Sequence, residues 1–465
     1  MNTKKFKNQL LTGLGLCAIF SGSLMSCKDG DSGQLGTNTS TTNTAPPKAP
    51  NSSESREIVL YYASNNRYSG LTAEDVLSKG ARGQDYAHDV FVPSFCTIGD
   101  GATANGSESK AWKKNQLGYD DVYAWSGLNW ASDGSLVFSN GSNIGTGNIN
   151  SGLNKYPTKP YGLAIGGWPV GDNANDPIRT GGFDRIGYAT QTADLDEFVN
   201  NVNNLEPLGK ITRLPNSLHV DYEFPLTTLQ ADGLLRIVKA LKTKCGDKYL
   251  IDVALGPNIQ KHLSILNFTE LLKYVDSFEL MTYDYNGNWS KVTGHHTGLY
   301  ANVDGQTDAN LSADFAADAQ VNYLLGKGVP ASKIKIGVAL YGRFWTGVTF
   351  PSTIDPMQPH FTATGGAVPS SLANGSYFVE GVIKYNQAME ALTAAKGWEI
   401  FRDTKAKAPF AINRAAGMFV SFDDLGSIQA KADYVKQKGL GGVIVWEASG
   451  AKGTSILKEL RKALD

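Results

Sequence analysis

The chain has 465 residues, 41% of them apolar and 51 of them glycine, enough to bury a large core as one big domain or as two to three average ones. Its formal charge of −1 excludes the basic excess of a nucleic-acid binder. Aromatic residues reach 10%, including eight tryptophans, which is enough for a surface that stacks on flat ligands as well as for core packing.

The N-terminus reads as a targeting segment. Lys4, Lys5 and Lys7 form a positive n-region, and residues 8–27 carry no charge and hold an apolar stretch. That stretch ends Leu24-Met25-Ser26-Cys27, which resembles the lipobox of a bacterial lipoprotein, with Cys27 as the lipidated residue after cleavage of 1–27. A plain secretory signal is the alternative, and either form implies export. A spanning helix fits poorly, because the run is short and broken by glycine and serine. Residues 28–56 are rich in Ser, Thr, Asn, Gly and Pro and read as a disordered tether. Cys96 and Cys245 then remain, as two thiols or one optional bridge, and no metal site or cofactor is expected.

From Glu57 the chain alternates short apolar runs with helical patterns. The runs are 57–62, 89–95, 161–168, 218–224, 249–255, 277–284, 334–341 and 442–447, each of the buried-strand type. Helical spacing of apolar residues marks 229–243, 312–326 and 427–439. Strands alternating with helices imply a parallel sheet, and eight of them predict an α/β fold, the closed (β/α)8 TIM barrel. An open doubly wound sheet is the rival, but no glycine-rich phosphate loop follows the first run. Two stretches exceed a minimal barrel. Residues 99–154, with Trp112, Trp125 and Trp130, are expected to cover the top of the barrel. Residues 346–413, with an aromatic run at 376–379 and a helical stretch at 382–395, are expected to form a small α+β insertion between strands seven and eight, leaving 57–345 and 414–465 as the barrel.

In the run Leu218-His219-Val220-Asp221-Tyr222-Glu223-Phe224, strand alternation puts the apolar residues on one face and His219, Asp221 and Glu223 on the other. Two carboxylates this close repel, so one holds its proton more tightly, as a general acid must. An edge strand with one wet face is the alternative. The barrel argues against it: Trp168, Asp221, Glu223, Tyr283, Asp284, Tyr341, Arg343 and Trp446 all fall near the C-terminal ends of runs, where barrel enzymes place their chemistry.

These motifs resemble glycoside hydrolase family 18. Ala164-Ile165-Gly166-Gly167-Trp168 is similar to its S-x-G-G-W strand, with alanine for serine. Asp221-x-Glu223 resembles the end of its D-x-x-D-x-D-x-E signature, and Met281-Thr282-Tyr283-Asp284 its strand-six motif. Thr293 to Tyr300 resembles the loop that follows, Tyr341-Gly342-Arg343 the opening of the chitinase insertion domain, and Asp423-Asp424 through Trp446-Glu447 the closing segment.

The resemblance, which covers residue 57 to the end, implies a chitinase acting on chitin or another N-acetylglucosamine-containing glycan by retaining, substrate-assisted catalysis. Glu223 would be the acid, Asp221 the support of the substrate acetamide and Tyr283 a donor to its carbonyl. Trp446 would form the floor under the sugar, with Asp284, Met281, Tyr341, Arg343, Trp168 and Tyr61 lining the cleft. The protein is expected to be a monomer that meets membranes through its N-terminal lipid only. Alternatives are a non-catalytic glycan binder of the same fold and an enzyme acting on glycoprotein or peptidoglycan. One departure stands out: the signature carries Asp at 216 and 219, and this chain has Asn216 and His219. His219 can still bond Asp221 and, as an imidazolium, would pair with it and shift the acidity of the site.

Overall fold

In the computed structural model the eight apolar runs form one parallel barrel, so the open-sheet alternative falls. Its strands are β1 (Glu57–Ala63), β2 (Val90–Ser94), β3 (Gly162–Gly166), β4 (Ser217–Asp221), β5 (Leu250–Leu255), β6 (Ser277–Leu280), β7 (Ile334–Ala339) and β8 (Gly442–Trp446). They neighbour one another in the order β2, β1, β8, β7, β6, β5, β4, β3. The ring closes through a parallel bridge from Phe91 to Tyr161 and through the short strand Cys96–Thr97, which pairs with Ile165 of β3. The structure describes residues 56–63, 70–94, 96–97, 137–138, 143–167, 183, 187, 192–203, 214–304, 312–373 and 381–465. The expectations for Cys27, the tether, Trp168, the aromatic run at 376–379 and the three tryptophans of 99–154 lie outside the described residues.

The strands read as continuous apolar runs because both their faces are buried. Outward residues such as Leu218, Val220, Val253 and Phe278 pack against the helices, among them Leu234, Ile237, Val238 and Leu241 of the helix Thr228–Cys245. That helix starts where Thr227 and Gln230 cap each other's backbone amides in a capping box. Inward residues form a second core of Val59, Tyr61, Val92, Ala164, Ala254, Met281, Tyr283, Ala339, Tyr341 and Ile444. β4 is buried along its whole length, so the wet-edge reading also falls.

The remaining predicted helices begin or end elsewhere. Ala317–Gly326 starts five residues after Ser312, and Leu425–Lys438 starts two before Ser427. Within 382–395 only Tyr385–Ala391 is α-helical, because Val382–Lys384 is drawn into a sheet. That five-stranded antiparallel sheet runs in the order Val382–Lys384, Tyr341–Trp345, Met418–Ser421, Ala408–Asn413, Glu399–Asp403. It reaches past 346–413 on both sides. Run seven therefore ends at Ala339, and Tyr341 opens the inserted sheet rather than closing a barrel strand. The loop after β6 ties this sheet to the barrel: His295 Nε2 meets Asp403 Oδ2 at 3.0 Å, Thr293 Oγ1 donates to Pro359 O at 2.6 Å, and His296 N donates to Ser421 Oγ at 3.0 Å. Cys245 is a buried free thiol.

Candidate active site

A cavity of about 660 Å³ opens at the C-terminal end of the barrel. Tyr61, Asp221, Glu223, Met281, Tyr283, Asp284, Tyr341, Arg343 and Trp446, all expected from the sequence, line it together. So do Phe224, Pro257 and Trp289, which the sequence reading did not single out as site residues. Trp289 is 59% exposed, and the Arg343 guanidinium sits 5.1 Å from its ring centre. A signal was available: Trp289 follows Gly287-Asn288 in the loop after β6, where a large apolar side chain has no core to fill.

Local structure explains the placement. Asp221 is the last residue of β4 and points inward, while Tyr222 turns to the outer core and stacks on Phe183 at 5.1 Å. Beyond β6, Thr282 Oγ1 donates to Gly337 O at 2.9 Å and accepts from Gly337 N at 2.7 Å, which sends Tyr283 into the lumen. Gly337 is required there, since a Cβ would lie 2.7 Å from the Tyr283 ring. Asp284 follows with φ 58°, a left-handed conformation that costs a non-glycine residue about 1 kcal/mol. Arg343 Nε, from the first strand of the inserted sheet, donates to its Oδ1 at 2.7 Å, and His296 Nδ1 lies 3.8 Å away. Burial opposes the charge of Asp284, but His296 and Arg343 outweigh it and hold the carboxyl well below the usual range. Tyr283 is pushed well above an ordinary phenol by burial and by the surrounding Asp221, Glu223 and Asp284, so its hydroxyl remains a donor.

His219 does not bond Asp221. Its Nδ1 stands 3.1 Å from both carboxyl oxygens of Glu279 on β6, and its Nε2 2.9 Å from Ser217 Oγ. The reason is the strand repeat: residues two apart on one face are separated by about 6.6 Å, whereas a side chain across the lumen can reach the same layer. Gly162 of β3 makes room for the ring, since a Cβ there would lie 2.2 Å from His219 Nε2. Tyr61 Oη donates to Glu279 Oε2 at 2.6 Å, so this residue lines the cavity with its ring while its hydroxyl is committed below. Burial works against a charged His219, yet Glu279 and Asp252 raise its pKa, while His219, Lys335 and Tyr61 hold Glu279 below its ordinary value against the cost of burial, so the contact favours an imidazolium beside a carboxylate. Asp221 is raised to about 7, by burial and then by Glu279, with His219 opposing. Its Oδ1 is buried with no hydrogen-bond partner among the described residues.

His219, Asp252 and Glu279 have the chemistry of metal ligands and lie within 4.8 Å of one another. These groups already have partners in the fold: Lys335 Nζ stands 3.5 Å from Asp252 and 2.9 Å from Glu57, and Tyr61 donates into Glu279. The arrangement above it offers two carboxyl groups, a phenol donor and aromatic walls facing one cavity. These are the components of a site that binds a ring bearing a polar substituent and transfers a proton to it.

The family model of glycosyl hydrolases family 18 matches residues 57–451. A probable endochitinase of Orgyia pseudotsugata multicapsid polyhedrosis virus is 30% identical over 310 residues, 62% of this chain and 50% of that protein. Chitinase A1 of Niallia circulans is 28% identical over 344 residues, 68% of this chain and 45% of that protein. The chain thus spans about half the length of these relatives. Among solved structures, chitinase ChiA74 from Bacillus thuringiensis shares the fold with a TM-score of 0.64 at 20% identity, over 88% of this chain and 70% of that one.

Proposed function

This chain belongs to glycosyl hydrolases family 18, and on that premise we propose that it cleaves the β-1,4 bonds of N-acetylglucosamine polymers, chitin and its oligosaccharides, with retention at the anomeric carbon. The observation that carries this reading is the convergence of Asp221, Glu223 and Tyr283 on one cavity, with a carboxyl oxygen of Asp221 left for a ligand to satisfy.

Cleavage proceeds by substrate assistance, the exception to the two-carboxylate scheme. Glu223 protonates the glycosidic oxygen. The carbonyl oxygen of the substrate's own acetamide attacks the anomeric carbon and closes an oxazolinium ring as the leaving sugar departs. Asp221, as the anion, accepts the acetamide N–H and supports the positive charge that develops there. Tyr283 donates to the acetamide oxygen and orients it for attack, a pre-positioned donor of the kind that stabilises charge without reorganisation. Trp446, whose ring lies 5.9 Å from that of Tyr61, forms the floor. The ionised Glu223 then activates water, which opens the oxazolinium from the face the leaving group vacated and so preserves configuration.

The test is hydrolysis of chitin oligosaccharides by the protein beside Glu223→Gln. Turnover that the substitution abolishes is the expected result. Binding without turnover at any pH would instead establish a glycan-binding protein on this fold. Glycoprotein and muropeptide substrates in the same assay identify an enzyme with a different preference. The n-region and the Leu24-Met25-Ser26-Cys27 motif support export with lipidation at Cys27 and a catalytic unit held at a membrane surface. Metabolic labelling with a fatty acid that Cys27→Ala leaves unchanged would refute the anchor.

A further inference from the structure

The helix Leu425–Lys438 carries a fully buried lysine, Lys431, beside a buried Asp423 just ahead of the helix. Lys431 Nζ donates to Asp423 Oδ2 at 2.7 Å, to Thr297 Oγ1 at 2.7 Å and to Gly337 O at 3.2 Å. Asp423 Oδ2 also accepts from Ala339 N at 3.1 Å, and its Oδ1 accepts from Ser427 Oγ at 2.6 Å. Burying an ion pair carries a desolvation penalty that two apolar residues of the same volume avoid, so packing alone does not account for this one.

These groups hold the place where β6 and β7 part. The ladder between the two strands ends at Leu280 and Ile336. Past it, Met281 N still reaches Leu255 O of β5 at 3.0 Å, but Thr282 N closes on Leu280 O and Tyr283 N on Met281 O, both at 2.8 Å. With those donors turned back on their own chain, the side facing β7 is held by side chains. Thr282 Oγ1 bonds Gly337 O and N, and Thr297 Oγ1 donates to Thr282 O at 3.0 Å. Lys431 grips both ends of this bracket, Thr297 and Gly337. Gly337 also carries the Tyr283 ring, which lies 2.7 Å from where a Cβ on that glycine would stand.

Resting on the hydrolase reading above, we propose that Lys431, acting through Thr297, is a positioning residue for the reaction: it braces the seam between β6 and β7 so that the Tyr283 hydroxyl meets the substrate's acetamide. Lys431 is not among the residues that line the cavity. Its action passes to the two residues that set the Tyr283 ring, Thr282 before it in the chain and Gly337 against its face. A misplacement of about 1 Å in a reacting group costs up to about 10²-fold in rate, so a small slackening of this seam is enough to register in kcat.

The test is kcat and KM on a fluorogenic chitobioside for Thr297→Val, Thr297→Ser and the paired variant Lys431→Met with Asp423→Asn, each also in a Tyr283→Phe background. Lys431→Met alone leaves Asp423 as a buried charge without its cation and destabilises the fold, so both charges are removed together. Thr297→Val adds no charge and keeps the side-chain shape, and it decides the matter if the paired variant does not fold. In variants whose denaturant unfolding shows a folded protein, the paired variant and Thr297→Val should lower kcat by more than about threefold with KM nearly unchanged. Thr297→Ser keeps the hydroxyl and should stay within about threefold of wild type. In the Tyr283→Phe background the same changes should cost less than about threefold, because the hydroxyl they position is gone. A kcat within that range of wild type in Thr297→Val or the paired variant, a fall as large with Phe at 283 as with Tyr, or an equal loss in Thr297→Ser and Thr297→Val overturns the proposal and leaves the Lys431 network as a structural tie. Absence of turnover in the wild type itself overturns the hydrolase reading on which it rests.

Discussion

Replacing His219 by Asp restores the residue type of the signature at that position, and the structure says it should harm the protein. His219 is fully buried, 3.1 Å from both oxygens of Glu279 and 3.8 Å from Asp252. The substitution removes the cation that compensates Glu279 and sets another carboxylate in the same layer, against Lys335 as the remaining cation of the cluster. Breaking a buried pair by removing one partner costs about 3–5 kcal/mol. That is a large part of the about 5–15 kcal/mol that stabilises a typical domain. The pH dependence has a definite sign. Buried, mutually repelling carboxyls have folded pKa values above the about 4 of the unfolded chain, so the penalty is absent below pH ~4 and accrues as pH rises through the folded values. Denaturant unfolding of wild type and His219→Asp at pH ~5 and pH ~8 should show a small deficit at the first and the full deficit at the second. Adding Glu279→Gln to His219→Asp should recover more than half of the loss at pH ~8, a coupling expected only of residues in contact. A variant as stable as wild type at pH ~8, or a deficit equal at both pH values, would refute the assignment of charge to this cluster.

Two further outcomes follow from the cavity wall. Tyr283→Phe removes the hydroxyl that the proposed mechanism directs at the acetamide and should lower kcat by about 10²-fold, with KM and the unfolding midpoint nearly unchanged. A loss under about threefold would mean that the hydroxyl is not used. Trp289→Ala deletes a half-exposed ring at the mouth, worth about 1 kcal/mol of stacking, and should raise KM for long oligosaccharides about fivefold while leaving stability alone. Equal KM values for long oligosaccharides in variant and wild type would remove Trp289 from the binding surface.

The inserted sheet shows how a strand can be found in the right place and assigned to the wrong layer. Ile334 to Tyr341 reads as one apolar run, yet the chain leaves the barrel at Ala339 and Tyr341–Trp345 pairs antiparallel with Met418–Ser421. Nothing in eight consecutive residues encodes that change of partner, because both strands are buried and both are apolar. The consequence for the site is direct: Tyr341 and Arg343 reach the cavity from the inserted sheet, and Arg343 holds Asp284 from there.

The amino-acid order by itself determined the barrel and which of its ends carries the candidate site. A closed parallel barrel buries both faces of every strand, so its strands are written as apolar runs. An ionisable residue inside such a run can point only into the lumen, as Asp221 does. The sequence also displayed the other members of the lower cluster, Asp252, Glu279 and Lys335, each a charge set among apolar neighbours in its run. What it did not carry was their pairing. His219 and Glu279 are 60 residues apart, and which lumen residues share a layer depends on the stagger of neighbouring strands around the ring. That stagger is fixed by the packing of the whole barrel, which is why His219 points to Glu279 rather than to the aspartate two residues along its own strand.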